Sequence, residues 1–216
     1  MSHVSLATER SLPHDEALLA KELELFREAA FSGRREDQDW KEWWCFWKAY
    51  TGLAGSHWPS AMHVRILHDR GLPDFLVRTV DGEHFLEVTE ATTPEDRRAI
   101  AMSRHSNEVR FPGDPVAVRT HRGWVEHPGG RGGGRNGPPF LGDEPERETA
   151  KDVEDAITKK ARKNYPDTTS LLVYLNSNVA IAGMSMRKVL DLVRDVNRSQ
   201  FAEVVILSGS GEPHLV

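Results

Sequence analysis

The sequence has little cysteine, no long apolar run and no excess of positive charge, and each absence excludes a class of protein. One cysteine, Cys45, among 216 residues excludes an intramolecular disulfide and a cysteine-rich zinc site, and it suits a reducing cytoplasm. No apolar stretch approaches the roughly 18 residues of a membrane span, and the N-terminus lacks the apolar segment of a signal peptide. The net charge of −5 means that any contact with nucleic acid must come from a local patch. We therefore expect a soluble cytoplasmic protein without a membrane partner.

Hydrophobic periodicity predicts an α/β protein. The predicted helices cover 13–31, 38–51, 146–165 and 186–199, and the predicted strands cover 61–69, 170–176 and 202–209, with a hairpin over 74–91. A hairpin followed by crossover helices builds a mixed sheet with helices on both faces. We expect an N-terminal helical extension in residues 1–60 and an α/β core in residues 61–216. A flexible insert at about 93–147, rich in glycine and proline, interrupts this core.

Four tryptophans share one face of the second predicted helix, at positions i, i+3, i+4 and i+7. They are Trp40, Trp43, Trp44 and Trp47. Such a stripe can stack on nucleobases or bind a partner protein. Helical aromatic stripes more often pack in a core, and we predict the core for this one.

Two acidic residues interrupt the hairpin, whose sequence from residue 73 to residue 92 is PDFLVRTVDGEHFLEVTEAT. If Asp81 and Gly82 form a type I′ turn, Asp74 pairs with Thr89. Asp74 then lies a diagonal step from Glu87 on the same face, with about 7–8 Å between their backbones. The opposite face is apolar and carries Phe75, Val77, Leu86 and Val88.

Ionised carboxylates are costly to bury alone, so the hairpin predicts a partner for Asp74 and Glu87. A divalent cation such as Mg²⁺ meets this need, because hard cations prefer carboxylate oxygens. Alternatively, Asp74 caps a loop and Glu87 pairs with an arginine. The hairpin alone does not decide between these interpretations.

The pattern Pro73-Asp74 followed by Glu87-Val88-Thr89 resembles the signature of the PD-(D/E)XK, or restriction-endonuclease-like, nucleases. The resemblance implies a restriction-endonuclease-like mixed sheet and hydrolysis of phosphodiester bonds. It also implies Mg²⁺ or Mn²⁺ held by Asp74, Glu87 and the carbonyl of Val88. The sequence departs from the pattern at Thr89, where the family carries a lysine. Some branches of the family move this lysine to the helix that follows the motif strands.

The helix predicted at 146–165 offers a replacement lysine. Lys160 follows Ile157 by three residues and shares its inward face, whereas Lys159 points elsewhere. The resemblance then implies that Lys160 positions the attacking water or stabilises the phosphate. Lys163 borders the same face and is assigned to phosphate contact.

An acid from the first helix joins the site in some relatives. Glu22 is the first candidate here and Glu42 the second. Glu90 lies on the opposite face of the hairpin from Glu87, and we do not expect it to be a ligand.

The insert carries a local positive charge in an acidic chain. Residues 97–135 contain eight arginines, no lysine and three acidic residues. Arginine suits phosphate contact through its bidentate fork, and arginine interleaved with glycine is common in nucleic-acid-binding segments. The arginines assigned to this role are Arg119, Arg122, Arg131 and Arg135. A solvated insert without such a role is the alternative, and its composition predicts poor order over residues 112–143 without nucleic acid.

Three functions are compatible with these patterns. The first is a Mg²⁺-dependent nuclease whose partner is nucleic acid, with DNA as the expected substrate. The second is a PD-(D/E)XK-like domain that has lost catalysis and acts as a nucleic-acid-binding or protein-interaction module, which Thr89 favours. The third is an α/β protein that binds a partner through the tryptophan helix. The oligomeric state stays open, and a homodimer is among the options.

Overall fold

The computed structural model of the protein describes residues 8–28, 35–68, 71–91, 116–120, 123–127, 144–175 and 185–216. The strands in these ranges are β1 (Glu9–Leu12), β2 (Met62–Ile66), β3 (Phe75–Thr79), β4 (Gly82–Ala91), β5 (Val116–Thr120), β6 (Gly123–His127), β7 (Thr169–Leu175), β8 (Val204–Leu207) and β9 (Pro213–Leu215). The helices are α1 (Glu16–Glu28), α2 (Arg35–Leu53), α3 (Glu144–Ala161) and α4 (Met186–Val193).

Seven strands form one mixed sheet in the order β1-β2-β3-β4-β7-β8-β9. The strands from β1 to β4 pair antiparallel, β4, β7 and β8 run parallel, and β9 returns antiparallel at the far edge. Helix α3 precedes β7 and helix α4 precedes β8, because a parallel pair needs a long crossover connection. The expected α/β class with a mixed sheet is confirmed.

The first face of the sheet is covered by α2, which supplies most of an aromatic core. Trp40 and Trp43 are buried, and the ring of Trp43 lies edge-on to the ring of Phe75 at 5.1 Å between centroids. Trp44 and Trp47 are partly buried against the same core. The prediction that the tryptophan stripe packs in the core is therefore confirmed.

The second face of the sheet is covered by α3 and α4. Ile157 of α3 and Val189 of α4 are fully buried, and both belong to a core that includes Leu171 and Val173 of β7. The strand β7 thus contributes apolar side chains to both faces, as expected for a central strand covered on both sides.

The β3–β4 hairpin pairs in a register two residues away from the predicted one. Thr79 pairs with Gly82, so Val80 and Asp81 are the turn residues in place of the predicted Asp81 and Gly82. The Asp81 N–H donates to the Thr79 hydroxyl at 3.2 Å, and Gly82 has a φ of 132° as the first residue of β4. The positive φ that glycine tolerates is therefore needed just after the turn rather than inside it. Because side chains alternate with period 2, a shift of two residues leaves each side chain on its predicted face.

Several short strands were not predicted. Residues 1–60, predicted as a helical extension, also contribute β1, which pairs with β2 at the sheet edge. Within the segment 93–147, where the composition predicts no packed element, β5 and β6 form a separate antiparallel hairpin. These strands have four or five residues, too few for a period to stand out from the flanking sequence. Residues 144–147 begin α3, and the remainder of that insert lies outside the described residues.

None of the helices in the described part of the chain combines the length and hydropathy needed to cross a bilayer.

Candidate active site

The candidate site lies where β3 begins and β4 continues past it. The first residue of β3, Phe75, pairs with Leu86, and the next step of this register places Asp74 opposite Glu87. The N–H of Val88 points to the same side and donates to Asp74 Oδ2 at 2.7 Å. The start of the short strand therefore holds the Asp74 carboxylate against the edge of β4.

Glu87 is 2% exposed and lies on the face that α3 covers, as its neighbour Leu171 in β7 does. Ile157, fully buried one turn before Lys160, turns this face of α3 towards the sheet. Lys160 Nζ forms a salt bridge with Glu87 Oε1 and lies 3.4 Å from the carbonyl oxygen of Val88. Lys160 thus contacts two of the groups that the family resemblance assigns to metal binding.

The neighbouring lysines of α3 differ from Lys160 in their exposure. Lys163 Nζ lies 3.6 Å from Glu87 Oε1, but its side chain is 53% exposed, compared with 15% for Lys160. Lys159 is exposed to solvent. Lys163 can therefore meet a ligand from solvent while its ammonium group stays near Glu87.

Burial and repulsion between carboxylates raise the pKa values of two acids. The pKa of Asp74 rises to about 6, first because of burial and then because of the charge on Glu87, whereas the hydrogen bond from Val88 and the charge of Lys160 lower it. The pKa of Glu42 in α2 rises to about 8, first because of burial and then because of the charge on Asp74. Glu42 is therefore the helical acid next to the site, and it is largely protonated at neutral pH.

The structure reverses the order in which the sequence ranks the two helical acids. Glu22 of α1 forms a salt bridge with the buried Arg10 of β1. Glu42 is buried, and the side-chain amide of Gln38 donates to Glu42 Oε1 at 2.7 Å. The i, i+4 spacing of Gln38 and Glu42 is a sequence signal for this contact, but it does not show that Glu42 lies beside Asp74.

A cavity of about 400 Å³ lies beside these residues, between α2 and α3. Its lining residues are Gln38, Lys41, Glu42, Cys45, Val88, Thr89, Glu90, Asp152, Asp155, Ala156, Lys159, Lys160 and Tyr174. Thr89 and Glu90 point to opposite faces of β4, and both line the cavity because it extends around the edge of β4 that β3 does not cover. The wall carries both ammonium and carboxylate groups, so the cavity suits a polar ligand.

The donor chemistry of the site fits a divalent cation. Glu87 Oε2 is buried and makes no hydrogen bond within the described residues. Asp74, Glu87 and the carbonyl of Val88 supply the oxygen ligands that Mg²⁺ prefers, and a cation would relieve the repulsion between the two carboxylates. Over the described ranges, no three His, Cys, Asp or Glu side chains are grouped closely enough to hold a metal ion. The donor set is therefore two carboxylates and a main-chain carbonyl.

Of the arginines assigned to nucleic-acid binding, Arg119 alone lies within the described residues. Arg119 lies in β5, which pairs with β6 in the separate hairpin. Arg122, Arg131 and Arg135 lie outside the described residues.

Comparison of the chain with protein families, curated proteins and solved structures found no match. The functional conclusion therefore comes from the residues of the site.

Proposed function

We propose that the protein is a Mg²⁺-dependent nuclease of the PD-(D/E)XK type that hydrolyses phosphodiester bonds of DNA. One observation carries the proposal: Lys160 of α3 pairs with the buried Glu87 next to Asp74. A lysine ammonium group beside two carboxylates that can bind a metal ion is the set of groups that metal-assisted phosphodiester hydrolysis needs. The order of elements, in which an antiparallel hairpin precedes a helix and a parallel strand, supports a restriction-endonuclease-like sheet.

Each residue of the site has a defined role in this proposal. Asp74, Glu87 and the Val88 carbonyl would hold Mg²⁺, which acidifies a water molecule and neutralises charge on the phosphate when bound. Lys160 has three N–H donors, so it can contact Glu87 and still donate to the attacking water or to a phosphate oxygen. Asp74 carries a proton below about pH 6, and binding of a cation must displace this proton from its ligand. Binding should therefore weaken as the pH falls through about 6.

Two features support nucleic acid as the partner. The exposed Lys163 lies beside Glu87, where it can contact the phosphate next to the one being cleaved. The segment 97–135 adds an excess of arginine to a chain whose net charge is −5. An acidic protein needs such a local patch to bind a polyanion.

A second candidate function is a PD-(D/E)XK-like module that binds nucleic acid or protein without cleaving it. The observations that favour it are Thr89 in the place of the motif lysine and the direct pairing of Lys160 with Glu87, a contact that also makes a stable core without any metal. The two candidates differ in whether Asp74 binds a cation.

Cleavage with matched variants tests the proposal. Supercoiled plasmid, single-stranded DNA and RNA are incubated with wild type, Asp74→Asn and Asp81→Asn, in Mg²⁺ and in chelator. Asp81 is an exposed acid in the turn of the same hairpin, so Asp81→Asn is a control for the loss of one charge. We expect wild type and Asp81→Asn to cleave DNA in Mg²⁺ only, and Asp74→Asn to leave it intact. Wild type that binds DNA but cleaves no substrate in Mg²⁺ or Mn²⁺ would support the inactive module instead.

A further inference from the structure

Two buried oxygen atoms beside the site make no hydrogen bond within the described residues. They are Glu87 Oε2 and Tyr165 Oη. A buried polar atom without a partner is destabilising, so such atoms are uncommon and often belong to a functional site. The roles proposed for the metal ligands and Lys160 do not explain why the hydroxyl group of Tyr165 is buried here without a hydrogen-bond partner.

The last turn of α3 and the residues after it bring Tyr165 to Glu87. The ring of Tyr165 packs on Phe201 at 6.0 Å between centroids. Lys163 Nζ lies 5.7 Å from the centre of this ring and 3.6 Å from Glu87 Oε1, so one ammonium group borders both side chains. The packing on Phe201 leaves the ring few alternative positions.

The two unpartnered atoms have complementary chemistry. A phenol keeps its proton at neutral pH, so towards a carboxylate the Tyr165 hydroxyl can act only as a donor. Glu87 Oε2 is an acceptor without a donor, so one hydrogen bond between the two atoms would satisfy both.

We propose that Tyr165 is a positioning residue that donates to Glu87 Oε2 and holds the carboxylate in its metal-binding orientation. Lys160 holds Oε1, and each carboxylate oxygen has a second acceptor site that remains for a cation. Partners of this kind typically change metal affinity or activity by about 10- to 100-fold when removed. The inference rests on the proposed function, because it concerns the same metal site.

The test compares Tyr165→Phe with Tyr50→Phe. Tyr165→Phe keeps the ring, its packing on Phe201 and its contact with Lys163, and removes only the hydroxyl group. Tyr50→Phe is the control, because the Tyr50 hydroxyl donates to the Ser60 carbonyl at 2.8 Å in the core on the other face of the sheet. Mn²⁺ affinity is measured by calorimetry, DNA cleavage by kcat and KM, and stability by thermal unfolding.

We expect Tyr165→Phe to bind Mn²⁺ about 10- to 100-fold more weakly and to lower kcat by a similar factor, with KM for DNA unchanged. Both variants lose a hydrogen bond and should lower Tm, but Tyr50→Phe should leave Mn²⁺ affinity and kcat unchanged. A Tyr165→Phe variant with wild-type Mn²⁺ affinity, or one that only lowers Tm, overturns the positioning role. Wild type that binds no Mn²⁺ overturns the proposed function and this inference with it, and that failure is distinguishable because it already appears in the wild-type protein.

Discussion

Replacing Lys160 with methionine should destabilise the protein and stop cleavage at the same time. Methionine keeps an unbranched side chain of similar length and removes the ammonium group. In the structure, that group pairs with Glu87, whose side chain is 2% exposed. After the replacement, the remaining lysine partner of Glu87 in the described structure is Lys163, at 3.6 Å and 53% exposed.

The size of the effect follows from this geometry. Removing one partner of a buried ion pair costs about 3–5 kcal/mol, because the other charge stays buried. Lys163 compensates for part of this loss, so we expect Lys160→Met to lower the free energy of unfolding by about 2–4 kcal/mol in chelator. The cleavage rate should fall by about 10²–10³ or more, as for other positioned charges.

A divalent cation should stabilise the variant without restoring its activity. Removing the lysine takes a positive charge away from the metal site, so Mn²⁺ affinity should stay the same or rise slightly. Mn²⁺ at 100 times its Kd adds about 2.7 kcal/mol to the free energy of unfolding of wild type and variant alike. It therefore brings the variant close to the stability of wild type in chelator, while the difference between the two proteins in Mn²⁺ persists. Mn²⁺ then neutralises Glu87 in the variant, whereas the donor that acts on water or phosphate is missing.

The measurements are urea unfolding in chelator and in Mn²⁺, together with plasmid cleavage. Lys151→Met is the matched control, since Lys151 is exposed on the same helix, more than two turns before Lys160. Lys151→Met should unfold and cleave like wild type. If Lys160→Met matches Lys151→Met in both assays, the contact between Lys160 and Glu87 has no energetic or catalytic role and the reasoning fails.

Three further predictions concern pH and two glycines. In chelator, the free energy of unfolding should fall as the pH rises from about 4 to about 8. The reason is that Asp74 and Glu42 have pKa values of about 6 and about 8 in the folded protein, compared with 3.8 and 4.5 when unfolded, so the folded protein keeps protons that the unfolded chain loses. At about 1.4 kcal/mol per pKa unit, Asp74 alone contributes on the order of 3 kcal/mol, and a urea series in which Asp74→Asn has the same pH slope as wild type would contradict this. Gly52→Ala should lower stability by about 1–3 kcal/mol despite the helix preference of alanine, because its Cβ would lie 2.4 Å from Cγ of Pro213. An unchanged Tm would show that β9 shifts to make room for the added methyl group. Gly82→Ala should cost about 1–2 kcal/mol from its φ of 132° alone, since no atom lies within 4 Å of the added Cβ, and chemical denaturation that shows no loss would mean that the turn rearranges.

The sequence by itself determined which face of the hairpin each side chain occupies. The predicted pairing was two residues away from the observed one, yet Phe75 and Leu86 still lie in one core and Glu87 faces the other side. The reason is the period of 2 in a strand, which a shift of two residues preserves. The phase of α3 was predictable for a similar reason, because Ile157 and Lys160, three residues apart, share a face of any regular α-helix.

Short strands were beyond the reach of the sequence. The edge strands β1 and β9 have four and three residues, and each is defined by pairing with a strand that is distant in the chain or already placed in the sheet. A segment of this length has no measurable hydrophobic period. Its state depends on the neighbour to which its main chain forms hydrogen bonds, which the tertiary structure provides.

The tertiary structure also decided which side chains surround Glu87. Glu22 and Glu42 are both acids in amphipathic helices, but one pairs with Arg10 and the other lies beside Asp74 with its pKa raised to about 8. Burial and charge interactions depend on distances between residues far apart in the chain, which helical and strand periods do not contain. The position of Tyr165 near Glu87 has the same origin: it follows from the docking of α3 on the sheet, which the packing of the core on that face sets.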